Sequence, residues 1–115
     1  MKPLQVCRDT TLSNEWAIGC AIMSPQATEE IGFYVREPSL ESVMRAFLET
    51  VQLLLVEQGP GELPGEIHLA GEVFGYARVL PEKEALIALA LQPSSNVGIG
   101  WAMLSVAVSQ VDTWY

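Results

Sequence analysis

Apolar residues fall at Leu40, Val43, Met44, Phe47, Leu48, Val51, Leu54 and Leu55. Spacings of three and four place them on one face of an α-helix over 39–59. Ser39 suits the N-cap, Pro38 sets the entry, and Glu41 lies in the first turn, where the positive end of the helix favours a carboxylate. Gly59 suits the residue after the helix, and Pro60 stops continuation. A second stripe of Trp101, Leu104, Val108 and Val111, widened by Met103 and Ala107, predicts a helix over 97–111 with Ser95 or Asn96 as its cap. Gly98 and Gly100 lower its propensity and point to a tight first turn or a close approach to a neighbouring element.

Elsewhere the period shortens. WAIGCAIM at 16–23, with β-branched Ile18 and Ile22, predicts a strand, and EEIGFYVR at 29–36 a second, with Ile31, Phe33 and Val35 on one face. The polar connection between them makes a hairpin. After the Gly- and Pro-rich loop 59–65, EIHLA at 66–70 alternates, with Ile67 and Leu69 facing together. In the next strand Val73, Gly75, Ala77 and Val79 form a face of small residues on which a helix could sit closely. Glu72, Phe74, Tyr76 and Arg78 form the opposite face, which suits either a core or an interface. ALIALAL at 85–91 is apolar on both faces; a buried helical segment has the same composition, but the turns at either end favour a central strand. Residues 1–15 carry a weak pattern and read as an arm or short strand, leaving 16–115 as the domain. The order β-β-α-β-β-β-α predicts an α/β two-layer sandwich, a five-stranded antiparallel sheet packed by two helices.

Composition narrows the function. At 115 residues and 50% apolar, the chain is expected to form one domain with its own core. Six basic against fourteen acidic residues give a formal charge of -8. That argues against nucleic acid and against an anionic membrane surface. The N-terminus lacks the apolar run of a signal peptide, and no stretch is long and apolar enough to insert directly into a membrane. Two cysteines, Cys7 and Cys20, are too few for a disulfide framework, so a cytoplasmic location is expected.

Candidate chemistry is sparse. His68 is the only histidine, and no motif pairs it with Cys7 or Cys20 as a nucleophile. One histidine and two dispersed cysteines lack metal-ligand spacing. The glutamates read as a solvated surface, and the glycines at 98 and 100 match no phosphate-binding pattern. No catalytic, cofactor or metal site is expected.

The segment from Ala85 to Val111 resembles the end of a roadblock/LC7 domain. In that family an apolar strand leads through a short loop to an Asn-apolar-Gly motif that opens the last helix, matched here by Asn96, Val97 and Gly98. Two departures stand out. Members commonly begin with a helix before the first hairpin, so the chain is expected to be a shortened member lacking it. A basic residue often lies three places after the motif glycine, where this chain has Trp101. The resemblance implies a non-enzymatic module that forms dimers by joining sheets edge to edge and packing the central helices, and that binds or regulates small Ras-like GTPases. Met44, Phe47, Val51, Leu54, Leu55, Ile67 and Leu69 are the expected homodimer interface, and Phe74, Tyr76, Arg78 and Trp101 the candidate partner surface. A structural scaffold without GTPase contact is the first alternative, and a small-molecule sensor or unclassified hydrolase the second.

Overall fold

Every residue of Ala85–Leu91 is buried, and this strand lies at the centre of the sheet. In the computed structural model, which describes residues 2–24, 29–57, 66–80, 85–93 and 97–111, the elements follow in a clear order. They are α1 (Pro3–Leu12), β1 (Ala17–Met23), β2 (Glu30–Val35), a 3-10 turn at Pro38–Leu40, α2 (Glu41–Glu57), β3 (Glu66–Ala70), β4 (Phe74–Leu80), β5 (Ala85–Leu91) and α3 (Val97–Val111). The strands form one sheet in the order β2-β1-β5-β4-β3, with every neighbouring pair antiparallel. The expected loop 59–65, the turn at 81–84, the caps Ser95 and Asn96, and Trp114–Tyr115 lie outside the described residues.

Alternation along β5 divides the core in two. Leu86, Ala88 and Ala90 join Met44, Phe47, Leu48, Val51 and Leu55 of α2 on one face. Ala85, Ile87, Leu89 and Leu91 join Val6 and Cys7 of α1 and Leu104 and Ala107 of α3 on the other. Size is complementary across each contact. The α2 face of the sheet is small at Gly75, Ala77, Ala88 and Ala90, so the helix brings large side chains; a Cβ on Gly75 would lie 2.2 Å from Cε1 of Phe47. The opposite face is large, and there α3 brings Gly100, whose added Cβ would lie 2.1 Å from Cζ of Tyr76. Both close approaches follow from the small residues noted in the sequence.

The five-stranded antiparallel α/β sandwich is as expected, but two parts of the expectation are corrected. First, the helices cover both faces of the sheet, giving three layers rather than two. β1 and β5 are buried along their whole length, and a single helical layer would leave one of their apolar faces bare. Second, residues 3–12 are neither an arm nor a short strand, and the chain does not lack a first helix: α1 is present, and the order is α-β-β-α-β-β-β-α. Its buried side chains are Val6, Cys7, Thr10 and Thr11, and two threonines do not register as an apolar stripe. Burial is tolerated because the Thr11 hydroxyl donates to the Cys7 carbonyl at 2.8 Å. The entry to α2 also differs. Ser39 falls inside the 3-10 turn, where the Leu40 N–H donates to the Glu37 carbonyl at 2.9 Å.

Arg36 fixes the end of α1. Its guanidinium donates to the carbonyls of Thr11 and Asn14 through Nη2 and of Ala17 through Nε, tying the last turn of α1, the following loop and β1 to the end of β2. The positive charge also lies at the negative end of the helix. Arg36→Ala is expected to destabilise the domain by about 1–2 kcal/mol, since up to three carbonyls lose a charged donor and water can replace only part of it. Urea denaturation measures this; a change within ±0.3 kcal/mol, roughly the scatter of distant additive effects, would show that the contacts are redundant.

Candidate interaction surfaces

The expected partner residues Phe74, Tyr76 and Trp101 do come together, on the α1/α3 side of the sheet, but largely as core. Tyr76 is fully buried, and its hydroxyl donates to the Val97 carbonyl at 3.2 Å, joining β4 to the first turn of α3. Its ring stacks on His68 at 4.9 Å and meets Trp101 edge-on at 5.0 Å. Phe74 meets His68 edge-on at 6.2 Å. Tyr76 is thus withdrawn from any partner surface, while Phe74 and Trp101 keep partial exposure. Burial pushes the Tyr76 phenol above its ordinary pKa, so it stays protonated as a donor.

Arg78 remains accessible. It pairs in register with Glu66 across β3–β4, and Nη2 lies 3.0 Å from Oε2 of that carboxylate. The residues of the family-like motif separate: Val97 and Gly98 open α3 and are exposed, whereas Asn96 lies outside the described residues.

The proposed dimer residues divide in the same way. Met44, Phe47, Val51 and Leu55 fill this chain's own core at 0–5% exposure, so the width of the α2 stripe is used within one chain. Leu54 is half-buried. Among the described residues β3 and β2 are the two outer strands of the sheet, and Ile67 and Leu69 of β3 are half-buried against the α2 core. Beside it a groove of about 280 Å³ runs between α2 and the β3–β4 turn, lined by Val43, Phe47, Thr50, Leu69 and Val73 among others. Leu53, 65% exposed on α2, was missed by the sequence reading. In the run Leu53-Leu54-Leu55 a helix must turn at least one side chain outward.

A nucleophilic pair is not assembled. His68 lies on the β3 edge and Cys20 on β1, three strand spacings or about 14 Å across the sheet. Cys7 and Cys20 are both fully buried. Their mutual hydrogen bond, followed by burial, raises the Cys20 thiol well above its ordinary range, which disfavours the thiolate that nucleophilic chemistry needs. Among the described residues no three His, Cys, Asp or Glu side chains gather where they could hold a metal ion, and no helix is long and apolar enough to cross a membrane.

Two solved structures share this architecture over almost their whole length. MglC from Myxococcus xanthus superposes with a TM-score of 0.71 at 18% identity, covering 96% of this chain and 97% of that one. A roadblock/LC7 domain from Streptomyces avermitilis superposes with a TM-score of 0.66 at 8% identity, covering 98% of both. At these identities the likeness is one of fold. No family model matches the sequence. Among curated proteins, a polyribonucleotide nucleotidyltransferase from Xanthobacter autotrophicus is 35% identical over 63% of this chain, which spans only 11% of that protein's length.

Proposed function

We propose that this chain, which has the roadblock/LC7 fold, is a non-enzymatic protein-interaction module that forms a homodimer and binds a small Ras-like GTPase. The observation that carries the proposal is the β3 edge, unpaired among the described residues, within a fold matched over 96% and 98% of this chain by MglC and a roadblock/LC7 domain. An open edge offers unpaired N–H and C=O groups, and a two-fold axis lets two such edges satisfy each other. Ile67 and Leu69 add apolar area beside that edge, and Leu54 lies on the neighbouring helix. Arg78, with the partly exposed Phe74 and Trp101, remains the candidate contact with the GTPase. An arginine held by a neighbouring carboxylate is preorganised for directed hydrogen bonds at such a contact.

The sequence match to a polyribonucleotide nucleotidyltransferase favours a second reading, a module related to part of such an enzyme. Electrostatics weighs against RNA contact. The chain carries six Lys and Arg against fourteen Asp and Glu, and Arg36 and Arg45 are engaged with carbonyls or a carboxylate of the chain itself.

Calorimetry with a small GTPase of the same organism tests the assignment of Arg78. Arg78→Ala is expected to weaken binding by roughly tenfold, about 1.4 kcal/mol, while melting temperature and dimer mass persist. An unchanged affinity would remove Arg78 from the contact.

A further inference from the structure

We infer that acid opens the homodimer proposed above, through His68: the two β3 edges pair about a two-fold axis at this residue, and its protonation sets two like charges face to face. This rests on the β3-edge dimer and adds its register and its control. At the turn end of the β3–β4 ladder the Gly71 N–H donates to the Val73 carbonyl at 3.2 Å, so Ala70 and Phe74 face each other without mutual hydrogen bonds. Alternation along the ladder then gives Ile67 and Leu69 the bonds to β4, and turns the N–H and C=O of Glu66, His68 and Ala70 away from it. β3 is an outer strand, and among the described residues no other strand pairs with those groups. His68 is the middle residue of Glu66–Ala70. An antiparallel copy centred on it uses the outward groups of Glu66, His68 and Ala70 alike, and sets Ile67 against the partner's Leu69 on the α2 face. A shift of two residues either way leaves Glu66 or Ala70 out of the ladder and breaks the pairing of Ile67 with Leu69.

In that register each His68 lies directly opposite the partner's His68, their Cα atoms about 5.5 Å apart and their side chains on one face. His68 is exposed and is the chain's only histidine, the side chain that gains a charge between pH 8 and 5. Little around it neutralises that charge. From β4 it meets the uncharged rings of Tyr76 at 4.9 Å and Phe74 at 6.2 Å; α3 brings Trp101 at 6.0 Å and carries no charged residue. On its own strand Glu66 lies two residues away, but Arg78 of β4 holds that carboxylate at 3.0 Å, and together they are neutral. The next carboxylate along the chain, Glu72, sits beyond β3 in the turn to β4. Across the axis the partner's Glu66 lies diagonally, opposite Ala70, and is held by the partner's Arg78 in the same way. Two protonated rings therefore oppose each other, which weakens a strand pair. Association that disfavours the protonated form releases protons, so the dimer is favoured as pH rises and lost as it falls through the histidine range. The rest of the surface acts in the other sense, because any loss of negative charge from a chain of formal charge -8 eases the approach of two copies.

Sedimentation of the full chain at about pH 7.5 and about pH 5.5, at fixed ionic strength, tests this with His68→Gln and His68→Lys. The wild type is expected to dimerise roughly tenfold more weakly at the lower pH, and His68→Gln equally at both. His68→Lys, charged at either pH, is expected to dimerise weakly at both, with circular dichroism verifying that all three proteins stay folded. A wild-type dimer unmoved by pH overturns the inference and spares the dimer. So does a weakening that His68→Gln shares, which assigns the response to other groups, and so does a His68→Lys dimer as tight as the wild type at the higher pH. A wild-type dimer that tightens at the lower pH places His68 against the partner's Glu66, in the register shifted by two residues, and also overturns it. A wild type that is monomeric at both pH values removes the dimer and the inference together.

Discussion

Gly100→Ala is expected to destabilise the domain by about 2–3 kcal/mol, although alanine is the better helix former. Propensity alone would favour alanine by about 1 kcal/mol in a helix interior. Space reverses the sign. The new methyl would lie 2.1–2.7 Å from three ring atoms of Tyr76, closer than carbon atoms can approach. The ring has little room to yield: it is fully buried, stacked on His68, met edge-on by Trp101, and anchored through its hydroxyl to Val97. Overpacking of a tight core costs about 1–3 kcal/mol, occasionally more, and an aromatic ring held on several sides belongs at the upper end. The check is a double-mutant cycle. Tyr76→Leu removes the three overlapping ring atoms, and on that background Gly100→Ala should become stabilising by about 1 kcal/mol. A Gly100→Ala protein as stable as the wild type would show that α3 is not seated on Tyr76.

Leu48→Ala should cost about 2–5 kcal/mol. Leu48 is 5% exposed on the face of α2 that fills the small-residue side of the sheet, and its neighbours there, Met44, Val51 and Leu55, are equally buried. Truncation loses apolar burial and leaves a cavity whose walls are held by a sheet and a helix. Chemical denaturation measures it, with the midpoint falling and the slope unchanged. A loss below about 0.5 kcal/mol, the size typical of surface substitutions, would place Leu48 outside the core.

These two sites show what the sequence made legible. The helical stripe of α2 and the two-faced apolar run of β5 follow from periodicity, and together with the alternating strands they specify the sheet and the helices after the first hairpin. Gly75 and Gly100 were readable as close approaches because small residues recur on a face that otherwise has no reason to be small. α1 was not legible. Its buried face is Val6, Cys7, Thr10 and Thr11, and its placement depends on Arg36 donating to carbonyls 19–25 residues away in the chain, a contact that no local pattern encodes. The surfaces were the least legible. An apolar stripe reports that a helix face will be buried, but not whether by its own sheet or by a partner; Met44, Phe47, Val51 and Leu55 go to the former. Tyr76 suited either a core or a contact and was named for the partner surface; its full burial beneath Gly100 places it in the core. Leu53 and Val106 become noticeable only once the direction of each helix is known.

The interaction-module reading is tested most directly by titrating the wild-type chain into a small Ras-like GTPase of the same organism, loaded in turn with GDP and with a non-hydrolysable GTP analogue, and following the heat of binding. Saturable binding in at least one nucleotide state, to a chain that sediments as a dimer or larger, is the predicted result. Absence of binding in both states would contradict it and leave a structural subunit as the better account of this fold.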